Sequence, residues 1–172
     1  MRKTLFEKLL DYFHLTYDEY LHITRDVSLN DLPSPYKFER MDEAVSLVKK
    51  HVESGHKIVI YGDYDADGIT GCSILVKMFQ YVGFNANYYI PSRYLDGYGI
   101  NLTKAQEIID KGYPLVITVD NGVAANEAIN LLREHDIDVL VLDHHEPKEE
   151  LPHANVIIHP TLSHYSDTTT SS

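Results

Sequence analysis

Five short runs of apolar, β-branched or aromatic residues recur along this chain, and amphipathic patterns separate them. The runs cover 57–61, 87–90, 115–119 and 139–142, with a short fifth at 156–158. Strands this continuously apolar read as buried on both faces, and their alternation with helical patterns argues for a parallel sheet. After the first run, Ile74, Leu75, Met78, Phe79 and Val82 mark the inward face of a helix expected from 71 to 81. Ala128, Ile129, Leu131 and Leu132 do the same for a helix over 124–135. Thr103 and Gln106 carry capping-box spacing for the helix between the second and third strands. The expectation is an α/β fold, a parallel β-sheet with helices on both faces, and 172 residues suffice for one such core.

Before the sheet, residues 4–14 place Leu5, Phe6, Leu9, Leu10 and Phe13 on one helical face, and Thr16 offers a cap for a second helix over 17–23. A connector rich in Asp, Ser, Asn and Pro follows, and then a helix over 38–54 that Gly55 stops. The expected organisation is N-terminal helices and connector over 1–35, the α/β domain over 36–160, and a polar, disordered tail over 161–172.

Three of the apolar runs end in acidic letters. The first leads into Gly62-Asp63-Tyr64-Asp65-Ala66-Asp67-Gly68, the third into Asp120-Asn121-Gly122, and the fourth into Asp143-His144-His145. Alone, the first stretch is either a solvated acidic turn or a site for a divalent cation. In a parallel sheet, however, all three loops emerge at the carboxyl edge, where open α/β folds place their ligands. Five aspartates and two histidines then converge on one crevice, where their negative charges repel. Mixed Asp and His ligands suit Mn²⁺ or a similar cation, and two metals relieve the crowding best. Gly62 and Gly68 are expected to permit tight backbone turns around the ions.

Composition narrows what such a centre can serve. The net charge is −11, and Lys and Arg are scattered, so the chain alone is a poor electrostatic binder of nucleic acid. No run of about 18 apolar residues is present, and the charged N-terminus lacks a following apolar region, so neither a membrane span nor a secretory signal is expected. A single cysteine, Cys72, fits core packing in a reducing cytoplasm. His153, His159 and His164 fall in or near the polar ending and are expected to be solvent-exposed.

The segments Asp63-Tyr64-Asp65-Ala66-Asp67-Gly68, Val119-Asp120-Asn121-Gly122 and Asp143-His144-His145 resemble the first three motifs of the DHH phosphoesterase superfamily. The Gly62-Asp63-Tyr64-Asp65 lead-in, the loop from Pro91-Ser92-Arg93 to Gly97-Tyr98-Gly99, and Ile157-Ile158-His159-Pro160 are similar to the RecJ branch, single-stranded DNA exonucleases. The resemblance implies phosphodiester hydrolysis by two divalent ions, Mn²⁺ or Mg²⁺, releasing nucleoside 5′-monophosphates from the 5′ end of single-stranded DNA. It implies that Asp65 ligates one ion and Asp67 the other, that Asp120 bridges them, and that His144 completes part of the second site. His145 would lie beside the reacting phosphate, Asp143 would orient an imidazole or water, and Arg93 or Tyr98 would help place the substrate.

The departures from the pattern matter too. Tyr61 stands where several relatives carry a ligating His, so either Asp63 compensates or the first site is weaker. His159 stands where the RecJ branch has Asn before Pro160. The superfamily's fourth motif, with a further metal-binding Asp, and its second domain are expected beyond the third motif. The chain reaches Ser172 without them, and Asp167 lies in no matching context. Three functions stay open: a RecJ-type exonuclease of weak or no activity alone, a phosphoesterase for short oligonucleotides, cyclic dinucleotides or pyrophosphate, and a non-catalytic interaction fragment. Protein partners are not legible.

Overall fold

A computed structural model describes residues 3–26, 28–94 and 97–163. It divides into two compact units, Met1–Ser34 and Pro35–Ser172. The expected disorder of the tail fails at 161–163, a turn in which Ser163 is buried and its amide donates to His159 O; the rest of the tail, with His164 and Asp167, lies outside the described residues.

The first unit holds α1 (Leu5–Tyr12) and α2 (Tyr17–Thr24), each opened by a reciprocal capping box. Thr4 accepts the Glu7 amide while the Glu7 carboxylate accepts the Thr4 amide, and Thr16 and Glu19 repeat the arrangement. Both satisfy amides that the first helical turn leaves unpaired. Phe6 meets Tyr20 edge-on, ring centroids 4.9 Å apart, which joins the two helices.

The second unit is the α/β domain. Its elements run α3 (Met41–Glu53), β1 (Ile58–Tyr61), α4 (Ala66–Tyr81), β2 (Asn87–Tyr89), α5 (Leu102–Asp110), β3 (Leu115–Val119), α6 (Asn126–Glu134), β4 (Asp138–Leu142) and β5 (Val156–Ile158). The five strands form one parallel sheet in the order β2-β1-β3-β4-β5. Successive strand side chains point to opposite faces, so the sheet feeds two apolar layers. Val59, Tyr61, Val116, Val139 and Val141 pack under Ala105 and Ile108 of α5 and Ala128, Ile129 and Leu132 of α6. Ile58, Ile60, Leu115, Ile117 and Leu140 pack under α3 and α4, against Ala44, Cys72 and Phe79. The fold is therefore the parallel sheet with helices on both faces that the strand pattern predicts. Among the described residues, no helix is long and apolar enough to cross a membrane.

After β1 the chain builds β2 on one side, then returns to place β3 on the other. This reversal makes the carboxyl end of the β1–β3 pair a topological switch point, where loops diverge and leave a crevice.

Several local expectations need correction. Helix α4 begins at Ala66, not Gly71, because Asp65 caps it: its Oδ1 accepts the amides of Asp67 and Gly68 at 3.0 and 3.1 Å. Ile74, Met78 and Val82 do not face inward; they are 67%, 39% and 57% exposed. Phe79 is buried as expected and Leu75 packs beside the core, while Gly68 and Cys72 supply the rest of the buried face. A Cβ on Gly71 would meet Val119 Cγ1 at 2.6 Å, so small residues bring this face against the sheet. Helix α5 is capped by Asn101, whose Oδ1 accepts the Lys104 amide at 2.9 Å, rather than by Thr103. His159 is wholly buried, because the chain after β5 folds back under the sheet edge instead of leaving it. Gly62 and Gly68 serve close approach rather than unusual turns. A Cβ would strike Cys72 Sγ at 2.4 Å at the first and the Asp63 backbone at 2.5 Å at the second.

Candidate metal centre

The carboxyl ends of β1, β3 and β4 deliver their acidic loops to the switch point. Two groups of side chains meet there, each with ligand-capable atoms within 4.8 Å of one another: Asp63, Asp65 and Asp120, and Asp120, His144 and His145. Asp120 belongs to both. Asp67 joins neither group; with Thr70, Asp120 and His144 it lines an adjoining cavity of about 350 Å³.

Asp120 is the most constrained of these residues. Its φ of 61° lies in the left-handed region, which Asp tolerates better than most side chains. The strand ladder still holds its backbone, the Asp120 amide donating to Leu142 O at 2.9 Å. Beyond it, Gly122 has φ 115°, and a Cβ there would meet Thr118 Oγ1 at 2.6 Å. The loop thus turns sharply and drives the Asp120 carboxylate inward, where it is 3% exposed. Neither of its oxygens has a hydrogen-bond partner among the described residues, although His144 Nε2 stands 3.1 Å from Oδ1 without hydrogen-bond alignment. Burial, followed by the neighbouring Asp65 carboxylate, pushes the Asp120 pKa up to about 6, and His145 and His144 offset part of that rise.

The other carboxylates differ in how they are held. Asp65 is exposed, and its pKa is lowered chiefly by the Gly68 amide at its cap. Asp63 is 1% exposed with Oδ1 unpartnered; burial raises its pKa, and the amides of Tyr64 and Gly99 restrain the rise. Tyr61 is buried in the core and donates to Gly99 O at 3.2 Å, so it supports the loop.

Asp143 is committed to organising its own loop. Its Oδ1 accepts the amides of His144 and His145 at 2.8 and 3.1 Å and His145 Nδ1 at 2.8 Å, while Oδ2 accepts the Val123 amide at 2.9 Å. The Tyr98 hydroxyl lies 3.0 and 2.9 Å from Nδ1 and Nε2 of His145. Arg93 is exposed, its guanidinium over the Tyr64 ring at 5.6 Å, beside the acidic loop.

Two residues with no assigned role in the sequence reading hold the centre together. Asn121 donates through Nδ2 to Tyr61 O and Val119 O at 3.2 and 2.9 Å, tying the ends of β1 and β3. Its place between Asp120 and Gly122 is the only signal the sequence offers. His159 reaches His145 O from beneath at 2.7 Å, which its position among polar residues concealed.

Buried carboxylate oxygens without donors, beside imidazole nitrogens, form a donor set that suits a divalent cation. The shared position of Asp120 suits two such ions side by side.

Known proteins resemble this chain in sequence and in fold. The profile of the DHH family, N-terminal domain, matches residues 57–172. The single-stranded-DNA-specific exonuclease RecJ of Bacillus subtilis (strain 168) is 40% identical over 141 residues, which are 82% of this chain and 17% of that protein. RecJ of Haemophilus influenzae is 40% identical over 139 residues, 80% of this chain and 24% of that protein. The chain thus spans about a fifth of the length of these curated relatives. Among solved structures, exonuclease RecJ bound to manganese superposes with a TM-score of 0.69 at 34% identity, over 80% of this chain and 34% of that one. RecJ in complex with Mn²⁺ from Thermus thermophilus gives 0.66 at 28% identity, over 84% and 20%. The family profile takes in the loops that carry both groups of ligands, and the chain belongs to the DHH family.

Proposed function

We propose that this chain supplies the two-metal centre of a RecJ-like phosphodiesterase that removes nucleotides from the 5′ end of single-stranded DNA. The observation that carries the reading is Asp120, shared by both ligand groups and buried with neither oxygen hydrogen-bonded among the described residues. The likeness to RecJ proteins, two of them solved with manganese, supports both the chemistry and Mn²⁺ as an ion that this centre accepts.

Asp63, Asp65 and Asp120 would hold one ion; Asp120 and His144 would hold the other, with Asp67 available from the cavity wall. When bound, two such ions activate a water and neutralise charge developing on the phosphoryl oxygens. The remaining groups position and move protons. Asp143 accepts a hydrogen bond from Nδ1 of His145, which leaves Nε2 to accept from the Tyr98 hydroxyl; a phosphate or its leaving group would meet Nε2 by displacing that hydroxyl. Arg93, exposed beside the acidic loop, is placed to meet a substrate phosphate.

The net charge of −11 opposes association with a long polyanion. A dinucleotide needs no extended groove, so it should be cleaved faster than a long strand by these 172 residues. The assay is Mn²⁺-dependent digestion of 5′-labelled single-stranded DNA beside a dinucleotide. Slow release of mononucleotides, lost in Asp120→Ala, supports the reading. Cleavage that persists in Asp120→Ala, or no metal-dependent cleavage of either substrate, contradicts it.

A further inference from the structure

The loop Asp143-His144-His145 presents both imidazoles of the centre, yet it is a loop and needs to be held. Its front is organised by Asp143, as described. Its back is held by the chain after β5. The Asp143 amide donates to Ile158 O at 3.2 Å, which extends the pairing of β4 and β5 one step past the sheet. The next residue, His159, is fully buried, and its Nε2 lies 2.7 Å from His145 O. A carbonyl oxygen only accepts, so Nε2 carries the proton and donates. Nδ1 is then a bare acceptor, and it has no hydrogen-bond partner among the described residues. The His159 carbonyl in turn accepts the Ser163 amide at 3.0 Å, which closes a turn beneath the imidazole and fixes its backbone.

From this stacking we infer that His159 is a positioning residue for the metal centre. Its Nε2–H anchors the His145 carbonyl and so sets where His144 and His145 stand relative to Asp120. It touches neither the ligand atoms nor the cavity, and it acts only through the loop backbone. The inference rests on the metal reading given above for its consequence, but not for its geometry. A ring that merely filled space would not need a donor at this position. Leu and Gln fill comparable volume, and only Gln carries an amide N–H that reaches toward the place of Nε2.

The test uses the 172-residue chain and its His159→Leu and His159→Gln variants, first without metal. Long-range ¹H–¹⁵N spectra of the wild type should show the Nε2–H tautomer of His159. In His159→Leu, the amides of His144 and His145 should exchange with solvent about 10-fold faster or more, as expected for loss of one hydrogen bond worth about a factor of ten. The Ile117 amide in central β3 should be unchanged, and His159→Gln should restore much of the protection. Mn²⁺ titration should then show affinity reduced about 10–100-fold in His159→Leu, the usual cost of disturbing an outer partner, with recovery in His159→Gln. Unchanged exchange at His144 and His145 in His159→Leu overturns the inference. So does exchange that accelerates equally at Ile117, since that marks general loosening of the fold. If the local exchange changes appear while the wild type binds no Mn²⁺, the anchoring stands and the metal reading falls.

Discussion

Asp120 and Asp138 lie at opposite ends of neighbouring strands, and the protein treats their charges in opposite ways. Asp138 opens β4 at the amino edge of the sheet. There His51 Nε2, Lys50 Nζ, Arg133 Nη1 and Asn155 Nδ2 surround it at 2.9, 3.0, 2.9 and 2.7 Å. His51 is itself buried, and its Nδ1 stands 3.1 Å from His56 Nδ1, so the network runs from α3 through β4 to α6. Burial pushes the Asp138 pKa up, but hydrogen bonds from His51, Lys50 and Asn155 outweigh it and hold the carboxyl well below its usual range. Asp120, past the end of β3, is the more deeply buried of the two, yet its carboxylate takes no hydrogen bond among the described residues and its pKa rises to about 6. Where a charge joins elements, the fold surrounds it with its own donors; at the switch point it leaves Asp120 without them, and under the proposed function a cation would take their place.

The largest effect is expected at the amino edge. Asp138→Ala leaves buried His51 and half-buried Asn155 without their acceptor and should destabilise the chain by about 3 kcal/mol, the low end of the cost of breaking a buried pair, because the carboxylate is partly exposed. Exposed Lys50 should contribute least of the partners. Urea denaturation of the metal-free chain measures this, and a loss below about 1 kcal/mol would mean the network is ornamental to the fold.

At the carboxyl edge the sign reverses. Asp120→Asn removes an unneutralised charge from a buried site and should stabilise the metal-free chain by roughly 1–3 kcal/mol, following the size of the pKa rise. The same denaturation series reads it, and destabilisation would show that Asp120 has a structural partner after all.

A smaller effect separates the two aspartates by pH. The folded-state pKa of Asp120 is above its unfolded value of about 4, so the fold binds more protons than the unfolded chain in between. Its burden on the metal-free fold is therefore absent below about pH 4 and complete above about pH 6. The folded pKa of Asp138 is depressed, so its contribution is full above about pH 4 and is lost as pH falls further. Stability differences between wild type and each variant, followed from about pH 7 to pH 3, should diverge in these separate windows. Changes confined to one common window would contradict the assignment.

The sheet was legible because strand burial is written as continuous apolar letters, as in 115–119, whose observed limits match the run. The three acidic loops were legible because a parallel sheet sends every strand-to-helix loop to one edge. What escaped was contact between segments distant in sequence. Phe79 on the inward face of α4 was legible, but Gly68, Gly71 and Cys72, which bring the first turns against the sheet, are residues that a search for large apolar letters passes over. Asp65 reads as one of a row of like charges, while its Oδ1 in fact starts a helix. His159 sits among polar letters, and only the return of the chain beneath the Asp143 loop shows that it is buried.

The most direct measurement is calorimetric titration of Mn²⁺ into the wild-type chain, Asp120→Ala and Asp63→Ala near neutral pH. Asp120 serves both groups and Asp63 only one. The expected result is measurable binding by the wild type, a loss on the order of 100-fold or more in Asp120→Ala, and a smaller loss in Asp63→Ala; the first should exceed the roughly 10–100-fold that outer partners cost. Equal affinity in the wild type and Asp120→Ala would contradict a metal centre built on that carboxylate.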